Sequence, residues 1–185
     1  MTLEPGTKLG TYEILSQLGK VGMGEVYRGR NTRLARTVTV KALPPQLGTY
    51  ALVLLSAARR KIRVGQLGTV ELRPGFHMYV GSALGPGGLR ARIAHHVRGG
   101  KRPRWHIDYL RAHALLDQIW YCCIPSRREH QWSQAFEAAP GGSVPLRGFG
   151  ASDCDCRSHL YFFERCPSPA SFERWLRGRM ARTWL

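Results

Sequence analysis

Hydrophobic and polar positions divide the chain into two segments. In the first 47 residues, alternating or β-branched runs predict three short strands, at Thr11–Leu18, Glu25–Arg30 and Thr37–Leu43. The consecutive prolines Pro44 and Pro45 then stop the last strand, because proline cannot donate to a β-ladder. We therefore predict a boundary near residue 47.

The second segment mixes strands and helices. Short apolar runs predict strands at Tyr50–Ser56, Lys61–Val64, Thr69–Leu72, Phe76–Val80, Ile119–Ile124 and Leu160–Phe163. Helical spacing of apolar residues, with Ser126 as an N-cap, predicts helices at Leu89–Val97, Trp105–Leu116, Ser126–Ala138 and Ser168–Met180. The expected fold class is α+β. The expected divisions are residues 1–47, 48–166 and a basic helix or tail at 167–185.

The charge balance changes the range of functions to consider. The sequence has 28 Lys and Arg against 12 Asp and Glu, a formal net charge of +16. Such a chain attracts polyanions, because each cation that neutralises a phosphate releases a counterion. The alternative is a solvated, arginine-rich surface without a nucleic-acid partner.

Apolar runs, the N-terminal pattern and the cysteines indicate the cellular compartment of the protein. The sequence contains no apolar run of about 20 residues that could cross a membrane, and the N-terminus lacks the pattern of a signal peptide. Five cysteines, of which Cys122 and Cys123 are adjacent, argue against a secreted disulfide framework. We expect a cytoplasmic protein with no membrane partner.

The first segment carries a glycine-rich pattern followed by a strand lysine. Gly19, Gly22 and Gly24 precede Lys41, with Val21 in place of a middle glycine. This pattern resembles the start of a bacterial Ser/Thr protein kinase, in which a glycine-rich loop and a lysine hold ATP phosphates. The sequence contains neither an HRD nor a DFG motif, so we expect no kinase activity and interpret the segment as a recombination remnant.

The second segment carries three ordered motifs. They are Gly48–Tyr50, Tyr79–Ala83 and Leu89–Arg92 with His96 one helical turn later. These motifs resemble the GIY, YIG and arginine-helix motifs of GIY-YIG nucleases. Further stretches, WHIDYL and GFGASDCDCRSHLYFF, resemble an uncharacterised branch of that superfamily, found alone or beside an endonuclease III-type glycosylase. The resemblance covers residues 48–165 and implies a small sheet flanked by helices.

The resemblance implies a Mg²⁺-dependent endonuclease that acts on DNA. Tyr50 and Tyr79 would lie near the attacking water, and Arg92 would bind the scissile phosphate. Arg92 is preferred to Arg90 for this role because Arg92 and His96 are one helical turn apart and share one helix face. The open alternatives are that the tyrosines only pack a sheet and that Arg92 is a surface arginine.

His106 and Glu129 complete the catalytic candidates. His106 is either a second site histidine or a hydrogen-bonded structural one, since it precedes apolar helix positions. The resemblance implies a downstream glutamate that holds Mg²⁺, and Glu129 suits this role better than Glu137 or Asp117. Contacts with the nucleic acid are expected from Gly81, Ser82, Arg90, Lys101 and Arg104. We expect no small-molecule cofactor.

A cysteine-rich stretch raises the question of zinc. Cys154, Cys156 and His159, with Cys166 beyond, offer four ligands, but their spacing matches no common zinc knuckle. We therefore favour a reduced loop over a zinc site.

Three functions remain open: a metal-dependent endonuclease, a non-catalytic nucleic-acid-binding module, and a degenerate signalling fragment. The first predicts that Tyr50, Arg92 and Glu129 converge around one pocket.

Overall fold

A computed structural model describes residues 4–9, 12–21, 24–31, 36–42, 46–98 and 102–182. The first segment forms a four-stranded antiparallel sheet in the order β1-β2-β3-β4. Its strands are β1 (Lys8–Leu9), β2 (Tyr12–Val21), β3 (Gly24–Asn31) and β4 (Arg36–Ala42). The three predicted strands are confirmed, and Lys41 lies in β4 opposite Val26. Gly22 and the two consecutive prolines lie outside the described residues.

The second segment is built on another antiparallel sheet, in the order β10-β8-β5-β9. Its strands are β5 (Gly48–Ser56), β8 (Gly75–Ala83), β9 (Leu115–Cys122) and β10 (Leu160–Phe163). Between β5 and β8, the strands β6 (Arg60–Val64) and β7 (Gly68–Leu72) pair as a hairpin.

Both faces of strand β5 are covered, which explains its nearly continuous apolar sequence. Tyr50, Leu52 and Leu54 face one hydrophobic core, and Ala51 and Val53 face the other. All five side chains are at most 2% exposed. Alternate side chains of a strand point to opposite faces. The even-numbered residues of β5 therefore contribute to one core and the odd-numbered residues to the other.

Two helices cover each face of the sheet. Helices α1 (Gly88–Arg98) and α2 (His106–Arg111) and the β6–β7 hairpin contribute to the core on the Tyr50 face. Helices α3 (Glu129–Glu137) and α4 (Pro169–Arg182) contribute Trp132, Phe136 and Phe172 to the other core. The predicted α+β class, with helices flanking a small sheet, is confirmed. Across the described parts of the chain, no helix is long and apolar enough to cross a membrane.

Several element boundaries differ from the sequence prediction, including those of α2, β9 and α3. Helix α2 ends at Arg111 instead of continuing to Leu116, because Leu115 and Leu116 pair with β5 as the start of β9. Strand β9 therefore begins at Leu115 instead of Ile119. Helix α3 begins at Glu129 with Arg128 as its N-cap, so the predicted start at Ser126 is also wrong.

Candidate functional site

Two glycines give the motif tyrosine its place in the sheet. Gly81 in β8 lies opposite Tyr50 in β5, and a Cβ atom at Gly81 would lie 2.6 Å from the Tyr50 hydroxyl oxygen. At Gly48, a Cβ atom would lie 2.0 Å from the Cys122 carbonyl oxygen in β9. Neither position has room for a larger residue, so the GIY-like and YIG-like glycines are steric requirements of this site.

The Tyr50 hydroxyl meets His96 of α1 in a buried hydrogen bond of 2.8 Å to Nε2. Tyr79 packs beside the pair, with its ring centroid 6.5 Å from that of His96. Burial lowers the pKa of His96 to about 4, although the nearby Asp108 carboxylate opposes the shift. His96 is therefore neutral near pH 7. Burial also raises the pKa of Tyr50 well above 10, so the protonated phenol donates to the imidazole.

Asp108 is fixed on the other side of His96. Its Oδ2 atom accepts hydrogen bonds from the backbone N–H groups of Arg104 and Trp105, at 2.9 and 3.0 Å. Its Oδ1 atom lies 3.8 Å from His96 Nδ1. Burial alone would raise the pKa of Asp108, but these hydrogen bonds and His95 hold it below its ordinary value. Tyr50, His96 and Asp108 therefore form a row of side chains, in which a phenol, a neutral imidazole and a carboxylate follow one another.

Arg92 lies beside this row on helix α1. Its guanidinium carbon is 4.2 Å from the centroid of the Trp105 ring, and that of Arg104 is 5.2 Å away. Its charge acts on both Tyr50 and Tyr79, whose pKa values it lowers against the larger effect of burial. None of the ion pairs among the described residues involves Arg92. The aromatic ring thus orients a guanidinium whose donors remain available.

Tyr79 links this cluster to acidic groups elsewhere. Burial raises its pKa to about 12, with Arg92 lowering it and Asp108, Asp153 and Glu129 raising it. Tyr79 therefore lies within the electrostatic range of both the arginine and the candidate metal ligand.

Glu129, the first residue of α3, is 5% exposed. Its Oε1 atom lies 3.8 Å from His130 Nε2 and 3.9 Å from Arg127 Nε. Its Oε2 atom is buried and has no hydrogen-bond partner among the described residues. A buried carboxylate oxygen of this kind needs a partner, and oxygen ligands suit a divalent cation such as Mg²⁺. The residue thus fits a role as a magnesium ligand.

His106 begins helix α2 and contacts a glycine loop. Its Nδ1 atom accepts a hydrogen bond of 3.1 Å from the Gly150 N–H, and its ring packs on Phe149. Burial lowers its pKa. Gly150 has a φ of +69°, and a Cβ atom there would lie 3.0 Å from the Tyr79 ring. His106 therefore holds the loop that packs against Tyr79.

The candidates for contact with the nucleic acid differ in exposure. Ser82 is half-buried next to Gly81, and Arg90 and Arg104 are exposed. Lys101 lies outside the described residues. Tyr50, Tyr79, Arg92 and His96 are brought together, while Glu129 is connected to them only through its electrostatic effect on Tyr79. Trp105, on whose ring Arg92 packs, was not predicted from the sequence, where its signal was a tryptophan next to a basic residue.

Comparisons with known proteins give two findings. Residues 49–179 match the family described as "Domain of unknown function DUF123". The serine/threonine-protein kinase PknD from two strains of Mycobacterium tuberculosis is 35% identical over 69 residues, covering 37% of this chain and 10% of each kinase. The chain thus spans about a tenth of the length of these curated relatives, and its similarity to a kinase is partial. No solved structure matches the chain.

Proposed function

The chain belongs to the DUF123 family, which is GIY-YIG-like, and from this premise we propose that it is a Mg²⁺-dependent endonuclease that hydrolyses phosphodiester bonds in DNA. The observation that carries the proposal is the buried 2.8 Å hydrogen bond between the Tyr50 hydroxyl and a neutral His96. Hydrolysis requires a proton acceptor for the attacking water, a cation for the phosphate and a stabilised leaving oxygen.

His96 supplies the proton acceptor. A water at the Tyr50 hydroxyl passes a proton to the phenol oxygen while the phenol proton moves to His96 Nε2. The resulting imidazolium is stabilised by the Asp108 carboxylate, 3.8 Å from Nδ1. Before the reaction Tyr50 is protonated, which agrees with its raised pKa. During the reaction its hydroxyl relays a proton from the water to His96.

Arg92 supplies the cation for the scissile phosphate. The Trp105 ring, 4.2 Å away, holds the guanidinium in place, and its planar fork of donors matches two phosphate oxygens. A preoriented charge stabilises the transition state without reorganisation at the moment of reaction.

Glu129 would hold the metal through its unpartnered Oε2 atom. Bound Mg²⁺ would lower the pKa of a water and neutralise charge on the phosphate. The formal net charge of +16 supports a polyanionic substrate. Arg104 is an exposed cation beside Trp105, and Arg90 is an exposed cation on α1.

The test compares Arg92→Ala with Arg98→Ala in the cleavage of plasmid and branched DNA. Arg98 is an exposed arginine on the same helix, bonded to the Ala94 carbonyl, and serves as the matched control. We expect Arg92→Ala to lower the cleavage rate roughly 100-fold and Arg98→Ala to leave it near the wild-type rate.

Equal rates for wild type and Arg92→Ala would overturn the assignment of the phosphate arginine. DNA binding by the wild-type protein without cleavage of any substrate would replace the nuclease with a non-catalytic binding module.

A further inference from the structure

A second cluster of chemically reactive side chains lies outside the site described above. His130, the second residue of α3, meets Cys154 and Cys156 from the loop that precedes β10. One donor atom from each residue lies within 4.8 Å of the other two. His159 joins this group, because its Nε2 atom is 3.4 Å from Cys154 Sγ and its ring centroid is 6.1 Å from that of His130.

We propose that these four residues bind one structural Zn²⁺ ion, with His130, Cys154 and Cys156 as three ligands and His159 as the fourth. Two thiolates and two imidazoles form a donor set that favours zinc over oxygen-preferring cations such as Mg²⁺. With Zn–S near 2.3 Å and Zn–N near 2.0 Å, donor atoms of a tetrahedral site lie about 3.5 Å apart. The donor atoms of His130, Cys154 and Cys156 lie within 4.8 Å of one another, so small movements would bring them to this spacing. His159, 3.4 Å from Cys154 Sγ, would turn toward the ion as it binds.

The surroundings of the cluster suit a cation. Three carboxylates (Glu137, Asp153 and Asp155) and one cation (Arg157) line the same cavity as His130 and the two cysteines, so acidic groups predominate there. The Glu129 carboxylate also lies near His130, at 3.8 Å between Oε1 and Nε2, and its negative charge would favour a cation bound beside it. The thiols would release their protons to solvent when the metal binds.

Cys166 lies outside the cluster. Its sulfur is 3.4 Å from the Pro167 carbonyl oxygen and 4.0 Å from Gln118 Nε2. The ligand set thus differs from the one suggested by the sequence alone, with His130 in the place of Cys166. Cys166→Ser is therefore a matched control for the loss of a cysteine.

The zinc ion would join the start of α3 to the loop of residues 154–159. Since Glu129 immediately precedes His130, the ion would also fix the backbone next to the carboxylate assigned to magnesium. The zinc site does not rest on the proposed nuclease activity, and its test does not use DNA.

The experiment measures zinc in the full chain, purified with its thiols reduced, supplied with zinc and then freed of excess metal. We expect about one zinc ion per chain in the wild type and in Cys166→Ser, and almost none in Cys154→Ser, Cys156→Ser or His130→Ala. Cobalt added in place of zinc should give the intense absorption of cobalt–thiolate bonds in the wild type. His159→Ala should retain zinc with lower affinity.

The wild type alone decides the outcome if a variant does not fold. Removal of zinc with a chelator should lower its melting temperature, and added zinc should restore it. A reduced wild-type chain that holds no zinc and shows no cobalt–thiolate absorption would overturn the proposal. Equal zinc in the wild type and a folded Cys156→Ser would also overturn it, as would a disulfide between Cys154 and Cys156 that persists under reduction with zinc present.

Discussion

Two buried histidines, His77 and His96, remain neutral in the folded chain and thereby make the fold less stable at acidic pH. Burial lowers the pKa of each from the ordinary 6.5 to about 4, and Arg73 adds to the effect on His77. Both ring nitrogens of His77 lack a hydrogen-bond partner among the described residues. Below pH 6.5 the unfolded chain gains protons that the folded chain does not, so the free energy of unfolding decreases as the pH falls.

The His77→Leu substitution should reduce this sensitivity to acid. Between about pH 7 and about pH 5, each of the two histidines should remove about 2 kcal/mol from the free energy of unfolding. The loss should therefore be about 2 kcal/mol smaller in His77→Leu than in the wild type, as measured by urea unfolding at both pH values. His113→Leu, at an exposed histidine, is the control. The same loss in all three proteins would contradict the buried, neutral state of His77.

Helix α4 is anchored by an aromatic cluster. The Phe172 ring stacks on Phe136 at 4.4 Å between centroids and meets the edge of Trp132 at 5.0 Å. Phe172 is 4% exposed. The helix therefore packs on the second core, and the match to the DUF123 family also extends through residue 179.

Phe172→Ala should lower the free energy of unfolding by about 3 kcal/mol, because it leaves a cavity among stacked rings. Arg174→Ala, at an exposed position on the same helix, should change it by less than about 0.5 kcal/mol. Chemical denaturation gives both values. A similar, small effect of the two substitutions would show that α4 contributes little to the core.

The elements differ in how far the sequence predicts them. Strand β5 was predicted nearly to its ends because its apolar run and its flanking glycine are local signals. Helix α2 was extended too far because Ala114 continues the helical spacing, whereas the pairing of Leu115 with β5 is a contact between distant parts of the chain. The contact of His130 with Cys154 and Cys156 is also a tertiary contact between separate parts of the chain. The sequence alone therefore does not predict it.

At the scale of the molecule, a basic chain carries the Tyr50–His96 cluster and the His130 and cysteine cluster on one sheet domain. The predicted cluster of Tyr50, Tyr79, Arg92 and His96 follows from motifs that the strands place on one face. Glu129 reaches this cluster through its charge effect on Tyr79, and its role could not be derived from spacing because α3 covers the opposite face of the sheet. The central claim thus depends on the link between Glu129 and metal-dependent cleavage.

The most direct test measures plasmid cleavage against Mg²⁺ concentration for the wild type, Glu129→Gln and Glu164→Gln. Glu164 is exposed and lies just after β10, so it is a matched control. Mg²⁺ is left out of the buffer and no chelator is added, because a chelator would also remove zinc. Zinc is measured in each protein, so that an effect of zinc loss is distinguished from an effect on Mg²⁺ binding. We predict Mg²⁺-dependent cleavage by the wild type and Glu164→Gln and a roughly 100-fold lower rate for Glu129→Gln. Wild-type cleavage without Mg²⁺, or by Glu129→Gln at the wild-type rate, would contradict the account.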